Sequence, residues 1–111
     1  MKWLALVGLV GLGCADDRGP RLASVMPAAA PRGAMVTLAG ERLCGERGDC
    51  ATAAGEVLIG LDNPATQAPI VEYTDTSAKV VVPNLVALGK TQLVVTVNER
   101  ASNALDFEVL P

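Results

Sequence analysis

Apolar and polar residues alternate along most of this chain with a period of two, as in strands buried on one face. Leu22–Met26 is a short apolar run closed by Pro27. Val36 and Leu38 flank Thr37, and Gly40 ends that segment. Val57 and Ile59 flank Leu58, and Gly60 follows. Ala78, Val80 and Val82 share one parity, Lys79 and Val81 the other, and Pro83 stops the run. Leu93, Val95 and Val97 alternate with Val94 and Thr96. Leu105, Phe107 and Val109 alternate with Asp106 and Glu108, which predicts one face toward a core and one toward water. Turn-forming clusters stand between these runs: Ala-Pro-Arg-Gly at 30–33, Asp-Asn-Pro at 62–64, Leu-Gly-Lys at 88–90 and Asn-Glu-Arg at 98–100. No segment shows a 3.6-residue stripe. About seven short strands with frequent turns predict an all-β chain folded as an immunoglobulin-like β-sandwich.

Composition sharpens this picture. A chain of 111 residues suffices for one domain. Half of its residues are hydrophobic, enough to build a packed core. Histidine is absent, which removes the commonest general base and the commonest metal ligand together. The net charge of −3, or −4 without Lys2, offers no footprint for nucleic acid and no basic patch for anionic lipid.

The N-terminus departs from the strand pattern. Met1-Lys2 precedes an apolar run, Trp3–Leu12, and then Gly13-Cys14. One positive charge, a short apolar stretch and small residues at the break predict an export signal over residues 1–13. Spanning a membrane takes roughly 18 apolar residues or more, so the run is too short for that. The stretch Val10-Gly11-Leu12-Gly13-Cys14 resembles the lipobox of bacterial lipoproteins. The resemblance implies acylation of Cys14, which becomes the first mature residue and ties the protein to a membrane. Gly13 fits that pattern, whereas Gly11 stands where the family prefers leucine. Cleavage after Ala15, with Gly13 and Ala15 as the small pair, is the alternative. Ala15, rather than aspartate, follows Cys14, which by the same resemblance favours the outer membrane or cell surface. Residues 14–19 form the anchored tether, within a polar stretch running from Ala15 to Pro20. Six residues span at most about 20 Å, which places the domain, residues 20–111, close to the bilayer.

Three cysteines are an odd number. With Cys14 lipidated, Cys44 and Cys50 remain as an even pair in an oxidising compartment, and a disulfide between them is expected. The loop between them, Gly45, Glu46, Arg47, Gly48 and Asp49, contains two glycines that ease its closure. The rival reading is a metal site made of two thiolates and Asp49, which lacks further soft ligands.

Within this frame the segment Pro20-Arg21-Leu22-Ala23-Ser24-Val25-Met26-Pro27 resembles the opening of IPT/TIG domains. These are immunoglobulin-like domains of plexins, some transcription factors and bacterial surfaces. A loop from Ala28 to Arg32 leads to Gly33, and then comes Val36-Thr37-Leu38-Ala39-Gly40-Glu41-Arg42-Leu43, similar to the family's second strand. Val57-Leu58-Ile59-Gly60, Asp75-Thr76-Ser77, Val80-Val81-Val82-Pro83 and the last two strands, with Phe107 at an aromatic position, continue the likeness over the whole mature chain. Ala34 replaces the second glycine of a usual pair, Leu43 stands where phenylalanine is common, and 44–55 resembles an insertion. That inserted loop, Gly45–Asp49, is the candidate binding segment, because loops carry most binding function.

No constellation argues for catalysis. Ser24, Ser77 and Ser102 have no histidine to activate them, and only Lys79 or Lys90 could be imagined as a partner. Asp16, Asp17, Glu46, Asp49, Glu99, Asp106 and Glu108 read as solvated acids, without a calcium-loop spacing. Apart from Trp3 the aromatics are Tyr73 and Phe107, both expected in the core, which argues against a sugar platform. The expectation is a non-enzymatic surface module without a cofactor. It meets the membrane through Cys14, and an envelope protein through loops or strand edges. An accessory glycan-binding domain is the alternative.

Overall fold

The alternating segments pair into two largely antiparallel sheets whose apolar faces meet. A computed structural model describes residues 19–52, 55–60 and 65–111, and these form ten strands and no helix. In chain order they are β1 (Arg21–Met26), β2 (Ala29–Pro31), β3 (Met35–Glu41), β4 (Glu56–Ile59) and β5 (Thr66–Gln67). There follow β6 (Ile70–Tyr73), β7 (Ser77–Val81), β8 (Gly89–Val97), β9 (Arg100–Ala101) and β10 (Leu105–Leu110). One sheet has the order β1-β3-β7-β6, and the other β2-β10-β8-β4-β5 with β9 paired to β8. Every pairing is antiparallel except that of β2 with β10. The result is the immunoglobulin-like sandwich that the alternation predicts. Export signal, Cys14, most of the tether and the 62–64 turn lie outside the described residues.

The strands outnumber the expected seven. Ala30 and Pro31, read as turn, form β2 beside β10, because the chain crosses from one sheet to the other there. β5 and β9 are two-residue strands, too short to show a period. β6 lies at a sheet edge, and a register shift between Ile70 and Glu72 breaks its alternation. Gly89 and Lys90, also read as turn, already belong to β8. Of 98–100, Asn98 and Glu99 make the turn, both with positive φ (51° and 66°), and Arg100 is back in a strand. Gly40 does not end β3 but lies inside it, opposite Leu22 at a bulge of β1. A side chain at Gly40 would collide with the Arg21 carbonyl, so glycine permits a close approach of two backbones.

The core consists of the predicted inward residues, among them Val36, Leu38, Val57, Ile59, Ala78, Val80, Leu93, Val95, Phe107 and Val109. Burying each Val or Leu side chain stabilises the fold by about 1.5–3 kcal/mol, set against the entropy of ordering the chain. Two residues close the ends of the sandwich. Leu43 plugs the end where β3 finishes, and Val86 plugs the end where β8 starts.

Candidate functional site

The cysteine loop sits at the end of the sandwich from which the N-terminal segment departs. Cys44 and Cys50 are joined by a disulfide across a Cα–Cα distance of 4.7 Å. Both sulfurs are thereby occupied, which replaces the rival thiolate metal site. Among the described residues no three His, Cys, Asp or Glu side chains gather to hold a metal ion. The loop folds on itself through Gly45 N–H to the Arg42 carbonyl (3.1 Å) and Gly48 N–H to the Gly45 carbonyl (3.0 Å). Gly45 and Gly48 both have positive φ (93° and 69°), which glycine adopts without strain. Asp49 closes the next turn by accepting the Ala51 N–H at 3.1 Å.

The base of this loop is held by the β6–β7 turn, thirty residues away in sequence. The Asp75 carbonyl accepts the Leu43 N–H (2.9 Å), and its carboxylate accepts the Cys44 N–H (3.1 Å). The Tyr73 hydroxyl donates to the Leu43 carbonyl. Tyr73 is half-buried and packs against the core, as its sequence context suggests. Burial pushes its hydroxyl up to about 12; the Gly55 backbone amide opposes that rise and the Asp75 charge adds to it. Leu43, Cys44 and Gly45 are accordingly buried, while Glu46, Arg47, Gly48 and Asp49 are exposed.

Arg42 connects the loop to the departing chain. Its Nε donates to the Gly19 carbonyl at 3.0 Å, and its Nη1 pairs with Glu41 at 3.2 Å. Gly19 and Pro20 are buried. Two shallow hollows of about 200 and 230 Å³ flank the loop, one against Gly19, Pro20 and Arg100, the other against Asp49 and Thr52; Glu46 and Asn98 line both. Neither brings together a nucleophile and a base. The Ser77 and Ser102 hydroxyls serve turns, with Thr74 and with Val95 and Asn103, and among the described residues neither Lys79 nor Lys90 is bonded to them.

The opposite end differs in character. The register places Met26, Met35 and the 83–88 connection there, away from Gly19. Leu85 is 88% exposed, Met26 70%, Met35 54% and Leu88 51%. This end was not legible in the sequence because its residues come from the end of β1, the start of β3 and the 83–88 connection. Arg42, Asp75 and Asn103 were missed for a similar reason, since each acts on a distant backbone group.

No protein-family model and no curated protein matches the chain. Among solved structures it resembles a gamma-CGTase from the alkalophilic Bacillus clarkii, with a TM-score of 0.68 and 22% identity over 83% of this chain. It also resembles a provisionally assigned phosphatase from Bacteroides thetaiotaomicron, with a TM-score of 0.53 and 14% identity over 86% of this chain. The chain spans only 12% and 19% of those two proteins. At these identities the likeness concerns the fold, a β-rich domain within larger proteins, and agrees with an immunoglobulin-like sandwich.

Proposed function

We propose that the protein is a non-catalytic IPT/TIG-type lipoprotein, anchored through Cys14, that acts as a protein-interaction module at the bacterial envelope. The observation that carries the reading is polarity of the domain. The N-terminal segment leaves from one end, where Arg42 holds Gly19, and the most exposed large apolar residues lie at the other. Soluble domains seldom expose grouped apolar side chains unless a partner covers them. Five residues from Cys14 to Gly19 reach roughly 18 Å at most, so the cysteine loop faces the bilayer and the apolar end faces outward. The IPT/TIG assignment is supported by where its motif residues fall. Pro27 follows β1, Val36-Thr37-Leu38-Ala39-Gly40 lies in β3, and Phe107 points inward from β10.

The glycan-binding alternative gains no support, since Phe107 is 3% exposed and the Tyr73 hydroxyl is engaged by Leu43. The test is capture from detergent-solubilised envelope with the tagged mature protein after mild cross-linking. Recovery of one envelope protein in near-equal amount is expected. Recovery of none contradicts the reading.

A further inference from the structure

At the outward end an open groove of about 570 Å³ runs between the β4–β5 edge and residues 85–91. Its floor is apolar: Ile59 is fully buried beneath it and Val86 is 3% exposed. Gly60 lies in the floor with φ +89°, and a side chain there would meet Val86 Cγ2 at 3.7 Å and Thr91 Oγ1 at 3.8 Å. Arg32 fixes one wall, donating from Nε and Nη2 to the Val86 carbonyl at 2.9 and 2.6 Å. Leu85 and Leu88 therefore flank a pinned backbone position rather than a loose loop.

Two further features select an occupant. Among the described residues Lys90 is the sole charged one lining the groove; it is exposed and makes no ion pair with another of them. Lys90 also lines the adjoining hollow, with Asp106, Phe107 and its cross-strand neighbour Glu108, but neither carboxylate lines the groove itself. The other wall contains Thr66 and Gln67 of β5, an edge strand that pairs with β4 and, among the described residues, with nothing on its other side. An open groove does not enclose a small apolar ligand, which usually buries most of its surface. It suits an extended backbone that adds to a strand edge while alternate side chains enter the groove.

We propose that this groove binds an extended polypeptide segment with alternating apolar and acidic side chains, the acid facing Lys90 and the apolar groups seated on Leu85, Val86 and Leu88. The proposal rests on the interaction-module reading and names its surface. The probes are two synthetic peptides, Val-Glu-Val-Glu-Val and Val-Lys-Val-Lys-Val, and dodecanoate, each titrated into the isotope-labelled mature protein while amide shifts are followed. The acidic peptide is expected to move Thr66, Gln67, Leu88 and Lys90 amides and to bind at least tenfold more tightly than the basic one. Lys90→Glu is expected to reverse that preference, and Leu85→Asp, a change at an exposed side chain, to weaken the acidic peptide at least fivefold. Absence of shifts at these residues, equal binding of the two peptides, or a dodecanoate site here in place of the peptide overturns the proposal. Full capture of an envelope partner by Leu85→Asp overturns the groove and leaves the interaction module standing; failure of the unaltered protein to capture any partner counts against the module itself.

Discussion

Asn103 grips both backbone groups of Leu22: its Oδ1 accepts the Leu22 N–H at 2.8 Å and its Nδ2 donates to the Leu22 carbonyl at 2.9 Å. Leu22 lies in β1, an edge strand of one sheet, and Asn103 precedes β10 in the other. A single amide side chain thus ties the two layers together along one side, next to the bulge that Gly40 accommodates. Asn103→Ala leaves a part-buried donor and acceptor without partners and is expected to cost about 2 kcal/mol. Asn103→Asp retains the acceptor for the Leu22 N–H but turns a carboxylate oxygen toward the Leu22 carbonyl, and should cost at least as much at neutral pH. Urea midpoints at unchanged slope measure both.

Gly40→Ala tests the close approach directly. The added methyl meets the Arg21 carbonyl, a backbone atom that moves only if β1 moves. Overpacking of this kind costs typically 1–3 kcal/mol. Hydrogen exchange is expected to quicken in β1 and at Gly40 while the β4–β8 amides keep their protection. Uniform loss of protection would place the strain elsewhere.

Burial of the Tyr73 hydroxyl makes stability fall at high pH. The folded hydroxyl titrates near 12 and the unfolded one near 10, so between those values the unfolded chain has lost a proton that the folded chain retains. Stability is fully present below pH 10 and declines as pH rises through 12. Because Tyr73 is only partly buried, solvent screening reduces the loss to about 1 kcal/mol. Tyr73→Phe is expected to cost about 1 kcal/mol at neutral pH and to flatten the decline above pH 10. Chemical denaturation across pH 8–11 distinguishes the two proteins.

The disulfide is expected to stabilise the domain without being required for its fold. A closed loop this short contributes about 2 kcal/mol through the unfolded chain's lost entropy. Its base is fixed separately by Asp75 and Tyr73, through bonds that do not involve sulfur. Replacing Cys44 and Cys50 together by alanine is expected to lower stability by about 2 kcal/mol and leave the sheet amide spectrum in place. Collapse of that spectrum would show that the loop, rather than the sheets, organises this end.

The sandwich was legible wherever both neighbours of a strand bury one of its faces. β3, β7 and β10 show clean alternation because each packs one side on the core. β2 was hidden in Ala-Pro-Arg-Gly, since its strand geometry comes from pairing with β10 and not from its own residues. β6 exposes Ile70, Val71 and Glu72 at an edge and has a register shift, so no period survives. The Cys44–Cys50 bond followed from counting cysteines. Its supports did not, because Tyr73 and Asp75 reach the loop only after two sheets have brought 43 and 75 together. The groove at the end opposite Gly19 was equally hidden: Gly60, Thr66, Leu85 and Lys90 look unrelated until the strands β4, β5 and β8 set their spacing.

The central claim, an exported domain anchored at one end and free to bind at the other, is tested most directly by intact mass of the protein extracted from membranes, before and after reduction and alkylation. A chain beginning at Cys14, heavier by its acyl groups, with two thiols appearing only on reduction, is expected. An uncut chain beginning at Met1 with three free thiols would contradict the anchor and the bond together.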